Sequence, residues 1–226
     1  MVKSKYDKNY IENGYLMNYE KPPSYAFISN QVFQFKIELQ EIEPLIWRRV
    51  LVPSDYNFWD LHVAIQDSMG WWDSHLHHFE IRRKGGRKED RIGIPDLYNT
   101  GELPEVFPGW EIPVSNYFND LGIEAKYNYD YGDDWWHKVK LEGYIYREKG
   151  IKYPICTGGE RACPPEDCGG VSGYYNVLET IADPGHYDHK DMRIWVGEDW
   201  DPERFNKDEV KFDNPYKRWR KAFLER

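Results

Sequence analysis

Strict alternation of apolar and polar residues most restricts what this chain can fold into. The segment VFQFKIELQ places Phe33, Phe35, Ile37 and Leu39 at every second position. Because successive side chains of a β-strand point to opposite faces of a sheet, this spacing predicts a strand with one apolar face. Antiparallel sheets commonly bury one face and leave the other in water, so we expect the strand to belong to such a sheet.

Other segments predict further strands. LIWRRVLVP is typical of a strand that ends at Pro53, and HLHHFEIRR of a strand that leads into a two-residue hairpin turn at Gly85-Gly86. The connection over residues 92–123 is rich in Pro, Gly and Asn and predicts only short elements. EAKYNYDY and WWHKVKLEGYIYR predict a second hairpin around the turn Gly132-Asp133-Asp134.

Helix signals occur at one early position and again in the last third of the chain. Asn57 and Asp60 have the spacing of a capping box, and Gly70 is a natural end for the helix that follows. Later helices are predicted to begin at Ser172, Asp188 and Asn214-Pro215, and the first two of them to end at Pro184 and Gly197. The predicted fold class is α+β, a mainly antiparallel sheet with one early helix and C-terminal helices packed on it. Residues 1–31 are predicted to form an N-terminal extension and residues 32–226 a single domain.

Composition limits the functional classes. The chain of 226 residues carries a formal net charge of −9, which repels a phosphate backbone, so nucleic acid is an unfavoured partner. It has no run of about 18 apolar residues and no apolar stretch at its start, so neither a membrane span nor a secretory signal is predicted. The three cysteines are odd in number, which favours a reduced, cytoplasmic protein over a disulfide framework.

Three histidines are predicted to point toward the interior. His75 and His77 fall on the apolar side of their strand, and His137 falls on the same side as Trp135 in the second hairpin. A buried imidazole needs partners for both ring nitrogens, and the acids of the turn at 130–134 are placed to supply them. Three interpretations follow: structural histidines beside a tight turn, a small-molecule pocket in which His137 acts as acid, base or donor, and a metal site.

The segment GGERACPPEDCGG, residues 158–170, presents the acids Glu166 and Asp167 and two thiols in a short span that two prolines stiffen. Cys163-x4-Cys168 lies at the loose edge of zinc-ligand spacing, and no matching second pair of cysteines exists. A zinc ribbon is therefore disfavoured. The preferred interpretation is a rigid loop whose acids accept backbone N–H groups at the start of the following helix.

We therefore expect a pocket near the GDD turn (residues 132–134) and the PPED loop (residues 164–167). The candidate residues of this pocket are His75, His77, Asp130, Asp133, Asp134, Trp135, His137, Cys163, Glu166 and Asp167. A divalent metal is the one cofactor considered, and a mixed site for it would use His75, His77, Cys163 and Cys168.

An ordered series of motifs is similar to a known family. These motifs are PLIWRRVLVP, DLHVAIQDSMGW, HLHHF, YDYGDDWWHKVKLE, GGERACPPEDCGGVSGYYNVLETIADP and GEDWDPERFN. Over about residues 32–212 they resemble the plasmid pRiA4b ORF-3-like family. The resemblance implies an α+β fold of uncharacterised function and an association with plasmids and mobile elements, since some members are labelled transposon resolvases. The family's motif positions correspond to Tyr129, Asp130, Gly132, Asp133, Asp134, Trp135, His137, Leu141, Glu142, Cys163, Pro164, Pro165, Glu166, Asp167, Gly169 and Gly170, whereas Cys168 departs from the usual pattern.

Three functional hypotheses follow. The leading one is a cytoplasmic binding or interaction domain without catalysis, whose partner is a small molecule or a protein. The first alternative is a metal-assisted hydrolase or nuclease that uses clustered carboxylates and an imidazole, and its residues are Asp133, Asp134, His137, Glu166 and Asp167. The second alternative is DNA binding through the basic segment RRKGGRKEDR, residues 82–91, where a solvated hairpin is the simpler interpretation. The chain has no GxGxxG, GxxxxGK[ST], HExxH or GxSxG motif.

Overall fold

An eight-stranded sheet organises the described part of the chain. The computed structural model describes residues 30–95 and 105–225. The strands are β1 (Gln31–Leu39), β2 (Trp47–Pro53), β3 (His77–Arg82), β4 (Glu89–Gly93), β5 (Val106–Pro108), β6 (Glu124–Tyr129), β7 (Trp135–Tyr146) and β8 (Ile155–Glu160). The helices are α1 (Phe58–Met69), α2 (Gly170–Ala182), α3 (His189–Val196) and α4 (Pro215–Phe223). The predicted α+β class is confirmed. Most of the predicted N-terminal extension lies outside the described residues, and the division of the chain at residue 31 stays a prediction.

The sheet is antiparallel at every neighbouring pair of strands except β4 and β5, which run parallel. Its spatial order is β5-β4-β3-β6-β7-β1-β2-β8. The long strand β1 lies inside the sheet, where Phe35 and Ile37 stand opposite Leu141 and Val139 of β7. All four of these side chains are buried, which confirms the apolar face predicted from the alternation.

Helix α1 covers the apolar face of the sheet. The predicted capping box is present, because the Asn57 side chain accepts from the Asp60 N–H while the Asp60 carboxylate accepts from the Asn57 N–H. Gly70 ends the helix with a φ of 90°, a left-handed conformation that glycine adopts without a steric penalty. The Phe58 ring meets the Phe79 ring edge-on at 5.1 Å between centroids, so the first turn of α1 is anchored on β3.

The inward direction of the histidines is confirmed for two of the three. His77 and His137 are buried, as predicted, but His75 precedes the first residue of β3 and its side chain is 30% exposed. His78, on the opposite face of β3 from His77, is buried too. The reason is that the rings of Tyr131 and Trp136 pack against it on that face.

The hairpin between β3 and β4 has a longer connection than the sequence predicts. Arg82 pairs with Glu89, so residues 83–88 form the connection in place of a two-residue turn. The turn between β6 and β7 occupies residues 130–134, as predicted, because Tyr129 pairs directly with Trp135. In the described part of the chain, no helix combines the length and the apolar character needed to cross a bilayer.

Helix α2 begins earlier than its sequence predicts. The helix starts at Gly170, and Ser172 lies inside its first turn and does not cap it. A contact with the GDD turn explains the difference, because the Asp133 carboxylate accepts a hydrogen bond of 3.0 Å from the Gly169 N–H. The start of α2 is therefore set by a residue 36 positions away in the chain. The predicted starts of α3 and α4, after Asp188 and at Asn214-Pro215, are confirmed.

Gly170 is expected to tolerate no side chain. Its φ is 69°, and a Cβ built there would lie 2.5 Å from the Asp133 carbonyl oxygen. We expect Gly170→Ala to lower the free energy of unfolding by about 1–3 kcal/mol, the usual range for a strained backbone position. Urea denaturation followed by circular dichroism measures this effect. Gly143→Ala is the matched control, because a Cβ at Gly143 has no heavy atom within 4 Å; equal stability of the two variants would contradict the prediction.

Candidate functional site

One imidazole and three carboxylates meet where β3, the GDD turn and the PPED loop come together. His75 Nε2 lies 2.9 Å from Asp167 Oδ1, 3.4 Å from Asp130 Oδ2 and 3.9 Å from Glu166 Oε2. We name these four residues the His75 cluster. Asp130 and Glu166 are almost fully shielded from solvent, whereas the Asp167 side chain is 67% exposed. The cluster is therefore closed toward the protein interior and open on one side.

Backbone N–H groups and the Tyr129 hydroxyl fix the two shielded carboxylates of the cluster. Glu166 Oε1 accepts hydrogen bonds from the Trp72 N–H at 2.7 Å and from the Tyr129 hydroxyl at 3.0 Å. Asp130 Oδ1 accepts from the Gly132 N–H at 2.9 Å, which leaves its Oδ2 directed at His75. Burial raises the pKa of Glu166 in spite of these donors, so its negative charge is held at an energetic cost.

The PPED loop is held against the sheet by Trp71. The indole N–H of Trp71 donates to the Pro164 carbonyl at 2.9 Å, and the ring stacks on Tyr129 at 5.0 Å between centroids. Trp71 itself is buried at the end of α1. The first tryptophan of the pair at 71–72 thus anchors the loop, while the second one, Trp72, is 79% exposed.

The predicted residues of the GDD turn do not join the His75 cluster. The carboxylate of Asp133 accepts from the Gly169 N–H, and that of Asp134 accepts from the Asn128 side chain at 2.7 Å. His137 lies within the core, with its Nδ1 at 3.3 Å from the Tyr127 carbonyl, and Trp135 is buried beside it on β7. The turn and the loop do converge, but the ligand set expected for the hydrolase alternative is not brought to a common point.

His77 forms a second, fully buried group with His62 of α1. Its ring stacks on that of His62, with centroids 3.4 Å apart and planes 8° from parallel. His62 Nδ1 lies 2.8 Å from the Tyr127 hydroxyl, and its Nε2 lies 2.9 Å from Asp73 Oδ1. The sequence does not single out His62, because its partners Tyr127 and Asp73 come from other elements. The local signal that it is buried is its position in the helix Phe58–Met69.

A cleft of about 570 Å³ opens beside the His75 cluster. Its walls are the end of α1, the PPED loop and the segment 195–211, and Glu166 and Asp167 belong to both the cleft and the cluster. Four tryptophans line it: Trp71, which is buried, and Trp72, Trp195 and Trp200. Of the predicted pocket residues only Cys163, Glu166 and Asp167 line this cleft.

Comparison with known proteins identifies the family. The family model described as plasmid pRiA4b ORF-3-like protein matches residues 31–209. The chain belongs to the pRiA4b ORF-3-like family. One relative, the uncharacterized protein y4hQ of Sinorhizobium fredii (strain NBRC 101917 / NGR234), is 35% identical over 167 residues, which are 74% of this chain and 81% of that protein. The chain is also similar to the crystal structure of MM3350 from Methanosarcina mazei Go1, a protein of unknown function, with a TM-score of 0.73 and 41% sequence identity. The match covers 81% of this chain and 99% of the MM3350 chain.

The cysteines of this pRiA4b ORF-3-like protein are separate from its His75 cluster. All three are free thiols, and in the described residues the group with metal-ligand geometry is His75, Asp130 and Asp167. Burial raises the pKa values of Cys163 and Cys168 to about 12, so both are protonated near neutral pH. The mixed site predicted from His75, His77, Cys163 and Cys168 is therefore not assembled.

The basic hairpin of this pRiA4b ORF-3-like protein is exposed but partly neutralised. Arg91 pairs with Glu80 at 2.7 Å and Lys84 with Asp120 at 2.9 Å, and Lys126 lies 3.9 Å from Glu89. These acids offset the charges of Lys84 and Arg91, two of the six basic residues in the segment 82–91.

Proposed function

We propose that the protein is a binding domain without catalysis, and that its cleft accepts a positively charged side chain, an arginine or a lysine, of a peptide or protein partner. The observation that carries this proposal is the pairing of solvent-facing indoles with an excess of carboxylates in one cleft. Such an arrangement attracts a cation through the ring faces and through charge.

The indoles provide the flat surface. Trp72 is 79% exposed and Trp195 is 50% exposed, and both line the cleft. Exposed tryptophans are unfavourable in water and are enriched at binding surfaces. Trp200 lies deeper in the same cleft and is partly buried.

The charges select a cation. The cleft is lined by six carboxylates, Asp67, Glu166, Asp167, Asp199, Asp201 and Glu209, and by three basic residues, Arg48, Arg204 and Lys211. Arg48 is buried and its guanidinium donates to backbone carbonyls, and Arg204 is paired with Glu209 at 3.0 Å. Arg48 and Arg204 are therefore engaged, which leaves the exposed Lys211 against the exposed acids Asp167, Asp199 and Asp201.

A peptide pair tests the charge selection. The probe is acetyl-Gly-Arg-Gly-amide, and its control is the same peptide with citrulline, which keeps the shape of arginine but has no charge. We expect the arginine peptide to shift the indole N–H resonances of Trp72 and Trp195 in a two-dimensional NMR titration, and the citrulline peptide to bind at least fivefold more weakly. Equal binding of the two peptides, or shifts confined to other regions, would refute the proposal.

Variants locate the binding to the cleft. We expect Trp195→Ala to lower the affinity for the arginine peptide at least fivefold. The double variant with Asp199→Asn and Asp201→Asn should lower it to the same extent. An asparagine at position 201 can still accept the Glu203 N–H that Asp201 Oδ1 accepts at 2.9 Å. Glu179→Gln is the control, because Glu179 is an exposed acid of α2 that does not line the cleft. Its affinity should stay within twofold of the wild type.

A further inference from the structure

We propose that the His75 cluster binds one divalent transition-metal ion, Mn²⁺ or Zn²⁺, through His75 Nε2 and the carboxylates of Asp130 and Asp167, with Glu166 as an additional oxygen ligand. The site lies at the rim of the cleft. The inference does not depend on the proposed binding of an arginine or lysine side chain.

The spacing of the atoms suits a shared ion. One ligand atom from each of His75, Asp130 and Asp167 lies within 4.8 Å of the others, and the two shortest separations from the imidazole nitrogen are 2.9 and 3.4 Å. Metal–ligand bonds of about 2.0–2.2 Å place neighbouring ligands about 3–4 Å apart in a coordination sphere. Binding therefore requires only small movements, and the exposed Asp167 can make the largest of them.

The charge balance of the cluster also favours a cation. Three carboxylates face a single imidazole, so even a protonated His75 leaves two negative charges without compensation inside the cluster. Two of these carboxylates are shielded from water, where uncompensated charge is expensive. A dication would offset this excess. A proton shared between carboxylates is the competing solution, and direct measurement of metal binding distinguishes the two.

The protein holds the ligands from distant parts of the chain. His75 precedes β3, Asp130 follows β6, and Glu166 and Asp167 precede α2. The Asp130 N–H donates to the Leu76 carbonyl at 3.0 Å, which ties the Asp130 and His75 segments together. Hydrogen bonds to the oxygens that do not face His75 orient both shielded carboxylates, as outer partners do in metal sites.

The donor set indicates which ions fit. One imidazole nitrogen with two or three carboxylates suits Mn²⁺ and Zn²⁺, whereas Mg²⁺ prefers oxygen ligands and retained water. The described cluster contains no thiolate, so soft ions such as Cu⁺ are not favoured. The open side next to Asp167 leaves room for water in the remaining coordination positions.

Titration of tag-free, EDTA-treated protein with MnCl₂ tests the proposal. Mn²⁺ is the informative probe because protonated thiols bind it poorly, and loss of the free-ion EPR signal reports binding directly. We expect one equivalent of Mn²⁺ per chain and, in His75→Gln and Asp130→Asn, affinities at least tenfold weaker. Asp133→Asn removes the same charge from the same turn, but Asp133 lies outside the cluster. The Mn²⁺ affinity of this control should therefore stay within twofold of that of the wild type.

The outcomes separate this site from the cleft and from misfolding. Absence of saturable binding, or equal affinities for Asp130→Asn and Asp133→Asn, would overturn the proposal. If His75→Gln or Asp130→Asn fails to melt cooperatively, Asp167→Asn replaces it, since Asp167 is exposed and its loss costs little packing. Neither His75 nor Asp130 lines the cleft, so Trp195→Ala should bind Mn²⁺ like the wild type whether or not the cleft binds the arginine peptide.

Discussion

Replacing Arg48 by leucine is expected to lower the free energy of unfolding by about 4 kcal/mol. Arg48 is 1% exposed, and its guanidinium donates to the carbonyls of Ser68, Trp47, Glu160 and Arg161, each at 2.8 Å. Leucine leaves these acceptors without their donor, and an unsatisfied buried acceptor costs about 1–3 kcal/mol. The loss is large because the bonds to Ser68 and Arg161 are fully buried.

The neighbouring arginine supplies the control for this prediction. Arg49 points to the other face of β2 and pairs with Glu142 at 2.7 Å, with about a third of its side chain exposed. Partly exposed ion pairs contribute roughly 0–1 kcal/mol, so Arg49→Leu should change stability little. Urea denaturation followed by tryptophan fluorescence measures both variants. A difference of less than about 1 kcal/mol between them would show that the carbonyl contacts of Arg48 are not the cause.

The second large effect concerns acid stability. Burial lowers the pKa of His137 to about 4 in the folded protein, against 6.5 for the ordinary group. Between pH 6.5 and pH 4 this histidine is protonated in the unfolded chain but not in the folded one. The free energy of unfolding therefore falls as the pH drops through this window. Since one pKa unit corresponds to about 1.4 kcal/mol, His137 should account for about 3 kcal/mol of the loss between pH 6.5 and pH 4.

His137→Leu isolates this contribution. In the part of the chain that the structure describes, His137 Nε2 has no hydrogen-bond partner, so leucine removes the titrating group at small polar cost. The stability of the wild type relative to this variant should decrease between pH 6.5 and pH 4. Other groups, such as His78 with a lowered pKa and Glu166 with a raised one, titrate in both proteins and cancel in the difference. His186→Gln, in the segment between α2 and α3, should retain the full dependence of the wild type.

Local signals in the sequence predicted the parts of the fold that depend on neighbouring residues. The alternation in β1 and the capping box of Asn57 and Asp60 are confirmed because each is complete within a few residues. The predicted start of α2 at Ser172 was wrong, because the observed start depends on the contact of Asp133 with Gly169, which no local pattern reveals. The same limitation explains why the stacking partner of His77, His62 on α1, was missed.

The sequence predicted where the candidate site lies better than it predicted which residues form it. The GDD turn and the PPED loop do meet, but Asp130 faces His75 whereas Asp133 and Asp134 turn toward backbone and amide donors. Left-handed φ values of 58° at Asp130 and 56° at Asp134 set these directions. Sequence predicts that such a turn is acidic, but it does not specify which of its carboxylates points at a given neighbour.

The outer strand β5 bears on how the molecule avoids self-association. β5 has three residues and ends in Pro108, which has no N–H to offer an incoming chain. A short border strand that ends in proline opposes the addition of a further strand. This border of the sheet is thus a poor starting point for growth from molecule to molecule, the route by which exposed strands lead to aggregates.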